Sequence, residues 1–344
     1  MEEKITYLFG AGASANALPL VKDYRKGDKV VDGLTKSMRN HADTLHLDEF
    51  PNHKDYMQEY IKNLWWLADE ADKFHTIDTF AKHCYLTDKA SLERLKQTLS
   101  LYFVFEQLIN TKRDSRYLVF LTSILNLMIF PENIRLVSWN YDFQMELTAE
   151  MYRQESFHNS YGGASVHSPP FIEYYPPMGN VFPMNSDYYQ ADTFKLVHLN
   201  GIAGIYRQDG TSIFHSCFQN FDELRKESLI DDFVNNRDIK NHLLTFAWED
   251  RTIEAQALNR RLRFGTEAVK DTTILVVIGY SFPFFNRRTD NAIFNAIKES
   301  GKLKKIYFQD PNNDGQFLKN QFGLENVDIL HEPNVDQFYI PREL

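Results

Sequence analysis

Residues 5–14 read ITYLFGAGAS, a short apolar run that breaks into a glycine-rich turn. Five uncharged residues of β-branched, aromatic and leucine types predict a buried strand. Glycines where a strand turns toward a helix let the backbone approach a pyrophosphate, and the amides at the helix start then face its charge. The turn lacks the third glycine of the fingerprint Gly-x-Gly-x-x-Gly, because Asn16 and Ala17 follow. The alternative is an ordinary glycine-rich turn without a ligand. The rest of the sequence has to distinguish this turn from a nucleotide-binding loop.

Length and charge bound the class of protein. A chain of 344 residues predicts about two units, or one large α/β domain with a helical insertion. The formal net charge of −9 argues against broad nucleic-acid binding, which needs many Lys and Arg residues to displace counterions.

Cysteine usage and hydropathy predict the compartment. Cys84 and Cys217 lie far apart and form no Cys-x-x-Cys pair, which indicates neither a disulfide framework nor a zinc ribbon. No segment approaches the ~18 to 20 apolar residues of a membrane span, and the N-terminus lacks a signal-peptide pattern. We therefore expect a cytoplasmic protein without membrane contact.

Strand and helix patterns alternate after an initial helical region. Leu92, Leu95 and Leu99 follow helical spacing and predict a helical insertion over residues 32–116. Further strands are predicted at 134–138, 194–199, 273–279, 304–309 and 327–330, with helical patterns such as 251–269 and 286–299 between them. Such alternation is typical of an α/β fold with a Rossmann-like, doubly wound parallel sheet.

Two further segments stand out from this alternation. Residues 160–187 are rich in Pro, Gly, Tyr and Asn and are too long for a simple connector, so they predict a binding loop or a lid. Residues 202–272 are predicted to form a smaller helical lid segment. The resulting division is a discontinuous main domain of residues 1–31 and 117–344, interrupted by the insertion.

Polar residues and glycines cluster where the predicted strands end. Ligands of doubly wound sheets bind outside the carboxyl ends of the strands, so these positions are the candidate site. They are Gly10, Ala11, Gly12, Ala13 and Ser14, then Asn140 and Asp142, then His198, then Gly279 and Ser281, and finally Asp310.

Each of these residues also has a structural interpretation. Asn140 and Asp142 can cap the helix that begins near Phe143, and His198 can be a hydrogen-bonded core histidine. Gly279 and Asp310 can be ordinary turn residues. All of these would have to coincide at one edge of one sheet, which favours a functional site.

The ordered set resembles the sirtuin superfamily, and more closely its SIR2-like branch of NAD-consuming effectors in bacterial anti-phage defence. The glycine turn is similar to the sirtuin loop that holds the NAD phosphates, and Pro19 lies where the next sirtuin motif has its proline. Residues 139–142, WNYD, are similar to a Gln-Asn-Ile-Asp motif, and residues 198–201, HLNG, to the motif that carries the catalytic histidine. Residues 279–281 resemble the ribose-binding Gly-Thr-Ser turn, and residues 309–312 the late asparagine-containing strand end.

The departures from the sirtuin pattern are informative. The Asp-Phe-Arg that follows the sirtuin proline is missing, which puts its roles in doubt. Cys217 is the only cysteine where deacylating sirtuins carry four zinc ligands, so no zinc is expected. Losing that module removes much of the wall for an acyl-lysine peptide, and Trp139 replaces a glutamine. Both changes favour water over a protein side chain as acceptor.

The resemblance implies an NAD glycohydrolase that releases nicotinamide and ADP-ribose, with NAD as substrate. Asn140 is expected to position water and the ribose hydroxyls, and His198 to act as a base because its unperturbed pKa of ~6.5 suits proton transfer. Asp142 is expected to hold the carboxamide. Gly12, Ala13 and Ser14 are expected to face the pyrophosphate, and Ser281 and Asp310 the adenosine ribose.

The resemblance also implies regulation and partners. An ungated NAD hydrolase would kill its host, so we expect a homo-oligomer that works with a co-encoded partner, such as a HerA-type ATPase or an Argonaute-like sensor. The insertion and residues 160–187 are the candidate contact surfaces. The alternatives are a non-catalytic sensor of NAD or ADP-ribose, and an ADP-ribosyltransferase or deacylase.

Overall fold

The computed structural model describes residues 3–26, 29–126, 129–161, 172–176, 194–207, 214–216, 226–235, 243–249 and 254–344. Its strands are β1 (Ile5–Phe9), β2 (Tyr24–Lys26), β3 (Lys29–Val31), β4 (Ile134–Ser138), β5 (Tyr174–Tyr175), β6 (Leu196–His198), β7 (Ile205–Arg207), β8 (Phe214–Ser216), β9 (Ile274–Ile278), β10 (Lys305–Gln309) and β11 (Asp328–Glu332). Its α-helices are α1 (Leu34–Thr44), α2 (Lys54–Lys73), α3 (Ile77–Thr87), α4 (Lys89–Val104), α5 (Ser115–Ile124), α6 (Gln144–Tyr161), α7 (Lys226–Asn235), α8 (Glu254–Val269), α9 (Arg287–Glu299) and α10 (Phe317–Phe322). None of these described helices has the length and apolar character needed to cross a membrane.

Seven of the described strands form one sheet in the order β11-β10-β9-β1-β4-β6-β5. Every neighbouring pair in it is parallel, and helices cover both faces. The predicted Rossmann-like, doubly wound α/β fold is confirmed. The winding direction reverses beside β1, because the chain continues from β1 to β4 on one side and from β9 to β10 on the other. Such a switch point is where ligands of these sheets bind.

The strand β1 is buried along its whole length because a hydrophobic core covers each face of the sheet. Leu8 belongs to the core that also holds apolar residues of α1 to α4, α8 and α9. Tyr7 and Phe9 point to the opposite face and pack with Phe120 of α5, at ring-centroid distances of 4.8 and 6.1 Å. This two-sided burial explains why the strand reads as an unbroken apolar run.

The predicted strands agree closely with the observed ones. Those at 5–9 and 134–138 coincide with β1 and β4, and the other four match β6, β9, β10 and β11 to within two residues at either end. Residues 32–116, predicted to be helical, contain α1 to α4, and α4 ends in a π-helical turn, Phe105–Ile109. These helices share a core with the sheet. The division of the chain into domains stays a prediction.

Three segments differ from the simple helical or loop patterns that we predicted. The glycine turn enters one turn of 3₁₀ helix, Ala11–Ser14, instead of an α-helix. Pro19, which disfavours a helical residue before it, follows closely and limits the helix. The 202–272 region contains the antiparallel pair β7 and β8 as well as α7 and α8, so it is not purely helical. Within 160–187, β5 pairs with β6 at the sheet edge. Most of that predicted loop, and Cys217, lie outside the described residues.

Candidate functional site

The carboxyl ends of β1, β4 and β6 lie side by side. In the parallel register Phe9 is level with Ser138, and Ser138 is level with His198. The polar residues that follow β1 and β4 therefore lie beside the last residue of β6. We call Ser14, Asn140, Asp142, Glu146 and His198 the strand-end cluster. Each of these residues has at most 7% of its surface exposed.

The Asn140 side chain joins the ends of β1 and β4. Its Nδ2 donates to the carbonyl oxygen of Gly10 at 2.9 Å and lies 3.5 Å from the Ser14 hydroxyl. Its main-chain amide donates to the Ser138 hydroxyl at 3.1 Å. Asn140 therefore contacts the glycine turn rather than capping the helix that follows, and its amide is held in place from two strands.

Asp142 accepts a hydrogen bond at the start of α6 and has a raised pKa. Its Oδ1 accepts the main-chain amide of Gln144 at 3.2 Å at the start of α6, so the capping interpretation holds for this residue. Burial raises its pKa to about 6, against the opposing effect of hydrogen bonds from Ser14 and Gln144. Ser14 in turn lies 2.9 Å from the Tyr117 hydroxyl of α5. A carboxyl group with this pKa changes its charge close to neutral pH.

His198 is fully enclosed and hydrogen-bonded through both ring nitrogens. Its Nδ1 donates to the main-chain oxygen of Asn140 at 3.1 Å, and its Nε2 lies 2.5 Å from Oε1 of Glu146 in the first turn of α6. Burial by itself lowers the pKa of His198, because it penalises the charged ring. The charge and hydrogen bond of Glu146 act in the opposite direction and leave that pKa above its ordinary value.

The glycine turn packs directly against the end of β9. The amide of Gly12 donates to the carbonyl of Gly279 at 2.9 Å, and the amide of Ala13 donates to the carbonyl of Gly10 at 2.9 Å. A Cβ atom on Gly279, whose φ is +60°, would lie 2.5 Å from the backbone of Gly12. The two main-chain amides expected to face a pyrophosphate thus have partners within the protein in this structure.

A buried arginine donates hydrogen bonds to the main chain of the glycine turn. Nη2 of Arg116, in α5, donates to the carbonyls of Gly12 and Ala13 at 3.1 and 2.9 Å. The same nitrogen lies 2.6 Å from Asp114, whose carboxylate also accepts the main-chain amide of Asn16. Arg116 is 5% exposed. Because the turn presents carbonyls to this charge, its conformation depends on α5 as well as on its own glycines.

The remaining predicted residues do not join the strand-end cluster. Ser281 is exposed, and Oδ1 of Asp310 accepts the amides of Asn312 and Asn313 at 2.8 and 2.9 Å in its own turn. Gly279 contacts the glycine turn, which lies beside the cluster. Pro19 lines a cavity instead.

That cavity, of about 370 Å³, lies beside residues 15–19 and α1. Its inner wall holds His41 and Glu106, which are buried and joined by a 3.0 Å contact between Nδ1 and Oε1. Lys112 lies 2.6 Å from the other oxygen of Glu106. Hydrogen bonds to both His41 and Lys112, opposed by burial, hold the pKa of Glu106 down at about 2. The cavity has a mixed polar and apolar lining and lies next to the residues that follow the glycine turn.

Two buried polar atoms at the same sheet edge have no hydrogen-bond partner among the described residues. They are Nε1 of Trp139 and Oδ1 of Asn200. Trp139 stacks on Tyr280 with a centroid distance of 5.3 Å, and Nδ2 of Asn200 donates to the main-chain oxygen of Trp139 at 3.2 Å. A buried polar atom without a partner costs about 1–3 kcal/mol. Similar atoms occur elsewhere among the described residues, for example the hydroxyls of Tyr7 and Tyr60, so these two do not by themselves mark a site.

Several residues that contact the predicted site residues were not predicted from the sequence. Glu146 and Arg116 contact the predicted residues, yet an acidic residue in the first turn of a helix and an arginine near another helix start are common for other reasons. Gln107, in the π-helical turn, accepts the amide of Phe143 at 3.1 Å and links the insertion to the site.

Comparisons with known proteins do not identify a family. No protein-family model matches the chain, and no curated protein is a significant match. Among the described residues, no group of three or more His, Cys, Asp or Glu side chains is arranged to hold a metal ion. The resemblance to sirtuins therefore rests on the sequence motifs alone.

Proposed function

We propose that the protein hydrolyses NAD at the bond between nicotinamide and ribose, giving nicotinamide and ADP-ribose. The observation that supports this most is the direct contact of Asn140 with the glycine turn, with Asp142 and His198 adjoining it in the strand-end cluster. The resemblance assigns Asn140, Asp142 and His198 to the nicotinamide and its ribose, and the glycine turn to the pyrophosphate. These residues lie together beside the switch point of the sheet.

The reaction needs a buried, shaped site more than it needs strong acid catalysis. When the bond breaks, its electron pair returns to the positively charged ring nitrogen, so nicotinamide leaves as a neutral molecule. Water then adds its oxygen to the ribose carbon and releases one proton to the solvent. A buried amide such as Asn140 can orient water and the ribose hydroxyls, and the low dielectric of the site strengthens these contacts.

The other residues have roles that follow from their positions. Asp142, a buried acceptor next to Ser14, is assigned to the nicotinamide carboxamide. The glycine turn is assigned to the pyrophosphate, which requires Gly12 and Ala13 to exchange their present partners for phosphate oxygens. The cavity beside residues 15–19 lies next to that turn. In the cell, the activity is proposed to be gated through self-assembly and a co-encoded partner protein.

A non-catalytic sensor of NAD or ADP-ribose is the second candidate. One observation favours it: both nitrogens of His198 already carry hydrogen bonds, which leaves no free lone pair for a substrate proton. The transferase alternative has no comparable support in the described residues.

Release of nicotinamide from NAD by the purified full chain separates these candidates. It is measured by chromatography, alone and with the product of the neighbouring gene, beside His198→Ala and the exposed control His331→Ala. Turnover that His198→Ala abolishes and His331→Ala retains supports the hydrolase. Saturable binding of NAD by calorimetry without turnover in any mixture favours the sensor.

A further inference from the structure

Glu146 and His198 form a buried pair between α6 and β6. The contact is 2.5 Å long, and each side chain is 2% exposed. The charged or titratable group that faces the ring from the loop before α6 is Asp142, and the remaining contact is the main-chain oxygen of Asn140. The second oxygen of Glu146 has no hydrogen-bond partner among the described residues. His198 is thus the only hydrogen-bond partner of the Glu146 carboxylate among the described residues.

The hydrogen-bond partners define the state of the ring. A carbonyl oxygen only accepts hydrogen bonds, so Nδ1 of His198 carries the proton of its bond to Asn140. A carboxylate also only accepts, so Nε2 carries a proton toward Glu146. A ring that donates through both nitrogens has no lone pair with which to take a proton from substrate.

We infer that Glu146 is a positioning residue: it keeps His198 as a double donor, and His198 in turn holds the main chain at Asn140, which contacts the substrate. This inference rests on the proposed function and deepens it, because it moves His198 from the role of base to that of support. Three bonds then converge on Asn140, from His198 to its carbonyl, from its amide to Ser138 and from its side chain to Gly10.

The two roles of His198 predict opposite pH dependence. Burial lowers the pKa of the ring, but Glu146 and Asp142 outweigh it and raise that pKa above its ordinary value, which favours the double donor. A support role is present below that raised pKa and is lost as the pH rises through it, which gives a falling alkaline limb. A base must first be deprotonated, so its rate instead rises with pH through the same pKa.

The experiment compares wild type with Glu146→Gln and Glu146→Asp, with Glu150→Gln one helical turn away as the control. NMR with ¹³C-labelled histidine follows the titration of His198, whose signal is assigned by its absence in His198→Gln. Nicotinamide release gives kcat and KM across pH in the same samples. Circular dichroism checks that each variant is folded.

The expected result has three parts. Glu146→Gln lowers the titration midpoint of His198 and moves the alkaline limb of kcat by the same amount. It lowers kcat roughly 10- to 100-fold with little change in KM, because misplacing a contact residue costs about that much. Glu146→Asp, which keeps a carboxylate, has a titration midpoint and a kcat between those of Glu146→Gln and wild type. Glu150→Gln matches wild type in both quantities.

Two results would overturn the inference. One is a rate that rises with pH through the measured midpoint of His198, and the other is a midpoint that Glu146→Gln leaves unchanged. Failure of the proposed function is distinguishable, because it shows as no nicotinamide release in any sample. In that case the positioning role for NAD cleavage is also overturned, while the midpoint still reports whether Glu146 controls the ring.

Discussion

Polar residues and glycines follow the strands along the whole carboxyl edge of the sheet, but their side chains make different contacts in two parts of that edge. At the ends of β1, β4 and β6, polar side chains bond across strands, as Asn140 does to Gly10. At the ends of β9 and β10, Ser281 is exposed and the Asp310 carboxylate bonds within its own turn. Neighbouring strands lie about 4.8 Å apart, so Asp310, which follows β10 two strands from β1, is out of reach of the glycine turn. Ser281 follows β9, which adjoins β1, but Ser281 is exposed. The ends of the strands therefore indicate the edge where a site can form, and contact between two residues there also depends on the neighbouring strands and on the burial of each side chain.

The largest expected effect is the loss of the cross-strand amide. Asn140→Ala removes the bond to Gly10 and the group assigned to water and ribose, and we expect nicotinamide release to fall at least ~100-fold. Asn295→Ala, on the exposed face of α9, serves as the control and should match wild type. Equal rates in the two variants would contradict the site assignment.

The contact between the glycine turn and β9 is the next to test. Gly279→Ala places a Cβ 2.5 Å from the backbone of Gly12, and we expect it to destabilise the fold by at least ~3 kcal/mol in urea unfolding. Gly301 has a similar φ of +63°, but a Cβ atom added there would meet no other atom within 4 Å. Gly301→Ala should therefore cost only about 1–2 kcal/mol, the backbone penalty alone. Similar losses in both would mean that the close approach is unimportant.

The buried carboxyl of Asp142 predicts a pH dependence of stability. Its pKa is about 6 in the folded protein against an ordinary value of 3.8, so between these pH values the folded state holds a proton that the unfolded state releases. Stability from this group therefore falls as the pH rises from about 4 to about 6, by up to ~3 kcal/mol. Urea unfolding of Asp142→Asn should lack this part of the decline. An unchanged profile would show that the carboxyl is more solvated than the structure indicates.

The smallest effect is expected at the other strand ends. Asp310→Asn keeps a side-chain oxygen for the amides of Asn312 and Asn313, and we expect kcat and KM within about twofold of wild type. Ser281→Ala should behave likewise. A large increase in KM for NAD in either variant would instead support the adenosine-ribose contacts that the sirtuin resemblance implies, and would bring this region into the site.

The fold and most of the strand-end cluster were predictable because both depend on local patterns. The apolar run of β1 and its alternation with helices predicted the sheet, and the positions of Asn140 and His198 followed from where strands end. Glu146 was not predictable, because the face that α6 turns toward β6 depends on its packing. The 3₁₀ turn after β1 was missed since a glycine-rich turn reads alike whether or not an α-helix follows.

By itself, the sequence determined the parallel sheet, the order of its polar strand ends and the acidic balance, since each depends on residue type and spacing along the chain. Only the tertiary structure decided that Glu146 pairs with His198, that Arg116 holds the glycine turn and that Asp310 stays in its own loop. Those contacts join residues from separate elements, and their geometry follows from how helices pack onto the sheet. Spacing along the chain carries no information about that packing.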